Sequence, residues 1–218
     1  MVGQCILGLS SSEEGGGSVE SRRYFQCRKT VLEMLRDRGY DVPLTDLNLS
    51  LSEFRSRFGQ QPNPQTLGVC VSHRSRPSNK VQVVFAGTDQ IKKGTISGIC
   101  DQIVDRERLT RLILIVQSKM TSFALKVLEQ KPYKVEIIKL SDLLVNITNH
   151  VLQPKYEILS ANEKQKLLMK YKLEDKQLPY MLRTDAIARY YGLEKGQVIK
   201  ITHSADMVNS LVTYRCVL

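Results

Sequence analysis

The chain has 218 residues, with 32 lysines and arginines against 22 aspartates and glutamates, a net charge of +10. Its apolar fraction of 42% can fill a core, and the length suits one large domain or two small ones. No apolar run approaches the roughly 18 residues that a membrane span needs, and the positive balance favours a polyanionic partner or an acidic protein surface.

Residues 1–17 are rich in serine, glycine and glutamate, a composition that cannot fill a core, and are expected to be disordered. This start lacks the basic leading region and apolar stretch of a secretory signal, so an intracellular protein is expected. Cysteines stand at 5, 27, 70, 100 and 216 without a CxxC pair. That argues against a disulfide framework or a zinc site, and buried reduced thiols are expected at the last four.

Apolar periodicity predicts a helix over 19–38, with Tyr24, Cys27, Val31, Met34 and Leu35 on one side. Arg22, Arg23, Arg28, Lys29, Arg36 and Arg38 form the solvated remainder, and Gly39 ends the helix. Ser50 and Glu53 form a capping box, in which each side chain satisfies a free N–H at the helix start. Phe54 and Phe58 lie one turn apart within it. Residues 60–66 read as a loop. Two strands follow, 69–74 and 80–86, joined by a turn over 75–79 that contains Pro77 and Asn79.

A helix is predicted over 90–104, weakened by Gly94 and Gly98. Residues 112–116 read LILIV, the signature of a strand covered on both faces. Thr121 can cap the next helix, with Leu125 and Leu128 inward, and 134–139 returns as a strand. Strand, helix and strand in this order imply parallel pairing with a crossover. A short helical turn over 141–144 leads to the second domain.

There Ser160 and Glu163 repeat the capping box, ahead of an apolar stripe of Leu167, Leu168 and Tyr171. Pro179 breaks the regularity. Thr184 and Asp185 start a last helix carrying Ile187, Tyr190 and Tyr191, and Gly192 suits a left-handed end. Strands are predicted at 198–201 and 211–218. The fold class is therefore α+β overall: an α/β domain over 18–143 with a nuclease-like arrangement, and a small α+β domain over 144–218.

Sequence signals for catalysis are lacking. His73, His150 and His203 lie far apart, and no phosphate-binding glycine loop or GxSxG elbow occurs. A metal-dependent nuclease strand needs an acid and a lysine two residues apart on one face, whereas Glu136 and Lys139 are three apart. Glu174-Asp175-Lys176 sits in a polar loop. No cofactor is expected.

Several ordered motifs carry a family resemblance. EK-x-x-LL-x-x-Y from Glu163, QLP at 177–179 and RYYGLEKGQVIKI from Arg189 resemble the assembly domain of the fifth subunit of eukaryotic nuclear RNA polymerases. The archaeal polymerase H subunit resembles that domain standing alone. DRGY at 37–40 and VNIT at 145–148 match as well. The resemblance implies a non-catalytic subunit in the nucleus. Its first domain would form the lower jaw beside downstream duplex DNA. Its second would dock on the largest subunit, among other polymerase subunits. The implied assembly residues are His150, Pro154, Tyr156, Pro179, Tyr190, Tyr191, Gly192 and Arg215. A segment like Q-x-x-T-P-x-A lies near DNA in the family. Residues 117–124 occupy it here, with Lys119, Thr121 and Ser122 implied near DNA and Ser122 in place of proline. Thr121 reads equally as a helix cap or as part of a phosphate site.

Departures from the form shared by polymerases I, II and III point to one branch. Asp185-Ala186 replaces Asp-Pro, Tyr156 replaces a histidine, and residues 203–215 read HSADMVNSLVTYR. SRRY at 21–24, DLNLSL at 46–51 and DAIARYYGLEKGQV at 185–198 look like the plant paralogue of RNA polymerase V, which implies non-coding transcription for RNA-directed DNA methylation and gene silencing. The shared subunit and a free-standing nucleic-acid-binding module are the alternatives.

Overall fold

The structure is a computed structural model that describes residues 18–103, 108–205 and 208–218. The expected disorder of residues 1–17, and residue 104 of the predicted fourth helix, lie outside this range.

Helix α1 (Val19–Asp37) starts at Ser18, whose hydroxyl accepts from the N–H groups of Glu20 and Ser21. It ends before Gly39, which has φ +88°. All five residues of its predicted apolar side are buried. Of the arginines expected in solvent, Arg28 is buried instead, and Arg38 buries its side chain. Arg28 donates to Asp46 at 2.7 Å, and Arg57 reaches the same carboxylate at 3.0 Å. Burial pulls the Asp46 carboxyl up, but the Arg28 and Arg57 contacts outweigh it and hold it low. Asp46 lies in α2 (Leu44–Leu47), a short helix absent from the sequence reading, because four residues carry no period. The ion pairs tie α2 and α3 (Leu51–Phe58) to α1. The expected Ser50–Glu53 capping box is complete, and Phe54 is fully buried between Phe25 and Phe58.

The first sheet has the order β1-β2-β3-β4, comprising β1 (Val69–His73), β2 (Arg76–Phe85), β3 (Leu109–Val116) and β4 (Lys134–Lys139). The β1–β2 hairpin is antiparallel, and its turn is tighter than expected: Pro77 and Asn79 lie inside β2. The next two pairings are parallel, with α4 (Lys93–Asp101) and α5 (Ser122–Glu129) in the crossovers. Strand β3 is covered on both faces. Ile113 and Ile115 join the cluster built on α1, while Leu112, Leu114 and Val116 join the cluster under α4 and α5. Helix α5 turns Ala124 and Leu128 inward, one helical turn apart, and Leu125 stays 38% exposed rather than inward. Cys27, Cys100 and Cys216 are buried as expected, but Cys70 is exposed on β1, where the strand's alternation turns it outward.

The second sheet has the order β5-β7-β8-β6, from β5 (Lys155–Ile158), β6 (Tyr180–Met181), β7 (Val198–Ala205) and β8 (Val208–Val217). Strands β7 and β8 are longer than their apolar runs suggest, because they pair antiparallel along most of their length. Helix α6 (Ala161–Tyr171) has its capping box at Ser160 and Glu163. Of the expected stripe, Leu167 is buried and Leu168 half-buried, but Tyr171 is 52% exposed. Helix α7 (Ala186–Tyr191) is capped by Asp185 and closed by Gly192 at φ +62°.

Candidate functional site

The sequence landmarks of the two halves meet at one buried seam. Helix α1 ends at Asp37-Arg38-Gly39-Tyr40, and the C-terminal end of α7 lies against it. Arg38 donates from Nε to the Tyr190 carbonyl and from Nη2 to the Arg189 carbonyl, both at 2.7 Å. These are orphan acceptors of the last helical turn, where the backbone dipole also favours a cation. The same guanidinium meets Glu136 of β4 at 2.9 Å, and Arg111 of β3 pairs with Glu136 from beside it. Arg111 also reaches Glu194 at 3.3 Å, and Lys134 completes that pair. Burial lowers Arg38 to about 10, so it is charged at neutral pH. Gly192 suits its positive φ, and a side chain there would also have to displace the ends of two arginines. A Cβ would stand 2.7 Å from Arg111 Nη1 and 2.9 Å from Arg38 Cζ.

Tyr190 inserts into the core cluster of α1 and the first sheet. Its hydroxyl donates to Asp37 at 2.8 Å, and Asn146 bridges from Glu33 at 2.7 Å to the Tyr190 oxygen at 3.3 Å. Burial, reinforced by Asp37, pushes the phenol pKa up, so it stays a donor. Tyr190 is therefore committed inside the chain, whereas half-buried Gly192 lines the groove beside β4.

The other implied assembly residues are more accessible. Tyr191 packs on Tyr190, and its ring lies 6.1 Å from that of Tyr156. Burial raises the Tyr156 pKa, with Asp185 adding to the effect and Arg215 opposing it, so Tyr156, Tyr191 and the exposed Arg215 form one neighbourhood. Pro154 is half-buried before β5, and Pro179 is exposed with its carbonyl accepting from the Cys216 N–H. His150 is exposed, and its Nδ1 accepts from the Leu152 N–H at 3.2 Å. Beside it, Val151 and Leu152 are 96% and 83% exposed. The sequence reading passed over these two. Their signal was a pair of apolar residues in a loop with no strand or helix to bury them.

In the loop before α5, the Thr121 hydroxyl accepts from the Ala124 N–H at 3.3 Å, and the Thr121 N–H donates to Ile91 at 3.1 Å. Its cap role is filled, and its N–H is not free for an anion. Lys119 and Ser122 are exposed. Lys119 lies on a groove of about 480 Å³ with Arg23, Lys139 and Arg189 at its margin and Met120, Leu125 and Ile137 in its floor. Sequence spacing gave no reason to group Arg23 and Lys139 with Lys119, because they come from three separate elements. Glu136, weighed above as a nuclease acid, is held between two arginines. Among the described residues no cluster of three or more His, Cys, Asp or Glu side chains could hold a metal ion.

Both halves match family models. Residues 18–103 match the model for the RNA polymerase Rpb5 N-terminal domain, and residues 145–217 that for the Rpb5 C-terminal domain. The chain belongs to the Rpb5 family of RNA polymerase subunits. It is 50% identical over 210 residues to DNA-directed RNA polymerase V subunit 5C of Arabidopsis thaliana, covering 96% of this chain and 90% of that one. Identity with DNA-directed RNA polymerases IV and V subunit 5B of the same plant is 45% over 214 residues, covering 98% and 97%. The RPABC1 subunit of RNA polymerases I, II and III from Caenorhabditis briggsae is 37% identical over 206 residues, covering 91% and 97%.

Proposed function

We propose that this chain is the fifth subunit of a plant RNA polymerase V. In that role it works in the nucleus in non-coding transcription that directs DNA methylation and silencing. The supporting observation is the near-full-length identity of 50% to a polymerase V subunit, against 37% to a shared subunit. It agrees with the departures at Tyr156 and Ala186. Residues 18–143 act as the jaw and 144–218 as the assembly domain, docking on the largest subunit through the exposed surface of His150, Val151, Leu152 and Arg215. Affinity purification of the tagged chain from plant nuclei tests this. Recovery of the polymerase V largest subunit is expected. Recovery of the largest subunits of polymerases I, II and III would establish the shared subunit instead, and recovery of no polymerase would favour the free-standing module.

The jaw carries its basic groove toward downstream DNA and contacts phosphates rather than bases. Such contact is independent of sequence and weakens with salt, because cations are released from the DNA. Lys119→Ala in the assembled enzyme is expected to weaken downstream-DNA binding slightly on all sequences. The log-affinity against log-salt slope should flatten by up to about one unit. Nucleotide addition on a preformed scaffold should be unchanged. Tight, sequence-selective binding by the isolated chain would overturn this reading.

A further inference from the structure

The two edges of the first sheet are treated differently. The outer edge of β1 is closed by the chain itself: the Asp41 N–H donates to the Ser72 carbonyl at 2.8 Å, and the Arg74 N–H to Gly39 at 3.0 Å. Along the outer edge of β4, among the described residues, only the Arg189 guanidinium reaches the main chain, at 3.5 Å from the Ile137 carbonyl. That contact fixes the strand's orientation. In a parallel ladder both main-chain groups of a residue point the same way, and alternate residues share a side. Val135, Ile137 and Lys139 therefore present their N–H and C=O groups outward. A row of unpaired strand groups is a template for another strand.

We propose that this open edge of β4 receives an extended acidic segment of a protein partner, added to the first sheet as a fifth strand. Two grooves flank the edge, of about 440 and about 480 Å³, and they meet at Ile137 and Arg189. The first is lined by β4 residues from Lys134 to Ile138 on one side and by α7 and its flanking residues on the other. The six-residue strand spans about 20 Å, enough for a segment of similar length. Half-buried Val135 and exposed Ile137 supply apolar contact for alternate side chains. Charge selects the occupant. Arg23 and Lys139 are exposed in these grooves and, among the described residues, have no hydrogen-bond or ion-pair partner, and exposed Arg183 acts on the Glu194 carboxylate of the same groove without a direct contact. Arg189 is held by Asp142 at 3.1 Å. An incoming strand takes the Ile137 carbonyl from Arg189 and offers its own carboxylates. Main-chain donors at strand spacing and an apolar floor suit a polypeptide, whereas a duplex would use only the charges.

The proposal does not rest on the polymerase assignment, although it calls on the basic groove that the DNA reading also uses, and it is tested on the full chain by fluorescence polarisation. The probe is a labelled peptide alternating glutamate and valine. Its controls are the same peptide N-methylated at alternate amides and a lysine–valine peptide. The acidic peptide is expected to bind. N-methylation in the register facing β4 should weaken it by roughly tenfold, the equivalent of a lost hydrogen bond, and the lysine peptide should not bind. Ile137→Pro removes one outward N–H at an edge, where proline is tolerated, and should cost a similar factor. Arg183→Glu, a change at an exposed position, should also weaken binding and keeps the test valid if the proline variant folds poorly. Hydrogen exchange at Ile137 should slow when the acidic peptide is added. Failure of the acidic peptide to bind, equal binding of the methylated or lysine peptide, or protection elsewhere than β4 overturns the proposal. So does protection of β4 by a DNA duplex but not by the acidic peptide.

Discussion

The two sheets solve burial in different ways. In the first, residues 112–115 of β3 are fully buried between α1 on one side and α4 with α5 on the other. In the second, Val198 and Ile199 are as deeply buried, but Ile158, Tyr180 and Leu211 stay 42%, 46% and 62% exposed on the surrounding strands. The difference shows where each sheet gets its support. The first is enclosed by its own crossover helices. The second has α6 and the short α7, leans on the seam with α1, and leaves single apolar side chains exposed on its outer strands.

Removing the seam is expected to break that comparison most strongly. Arg38→Ala leaves the last α7 carbonyls without their cation and Glu136 with Arg111 alone. The Arg38 side chain is only 4% exposed, so the loss should approach about 5 kcal/mol in urea denaturation. Core truncations sharpen the contrast. Leu114→Ala, in the doubly covered strand, should cost about 4 kcal/mol, and Leu167→Ala, on α6 above the small cluster of Leu178, Val198 and Cys216, about 2 kcal/mol. Equal losses in thermal unfolding would mean that the two cores are equally enclosed. Ser160→Ala should cost about 1 kcal/mol by removing one cap of a surface helix.

Acid should act on the seam more gently. The Lys134 contact holds the Glu194 carboxyl below its ordinary value, against the opposing effect of burial, with Arg111 contributing. A lowered carboxylate stabilises the fold above its unfolded value, near pH 4.3, and that contribution fades as the pH falls through the lowered one. Tyrosine fluorescence or near-ultraviolet dichroism around Tyr190 and Tyr191 should therefore change below about pH 4.3. Glu194→Gln should make the change smaller.

Much of this architecture could be read from the residues. The LILIV run named a doubly covered strand, and both Ser-x-x-Glu boxes named their helix starts, because these signals act within a few residues. The seam was hidden. Arg38 reads as one more cation on a basic helix, and nothing local says that the ends of α1 and α7 meet some 150 residues apart along the chain. Tyr190 illustrates the same limit. The family motif marked it for assembly, but its surroundings inside the chain decide what it touches. The groove cations Arg23, Lys119 and Lys139 come together only through the fold.

Tyr190 also bears on the order of synthesis. The cluster beneath α1 takes all its other buried members from residues 24–143 and then one ring from position 190. On the ribosome, the first sheet and its helices emerge before α7 does. Until α7 follows, the nascent cluster carries an unfilled position beside Asp37. Completion of the earlier-made half thus waits on the later-made one, and a chain halted before residue 190 would display that gap to the cell's quality-control machinery.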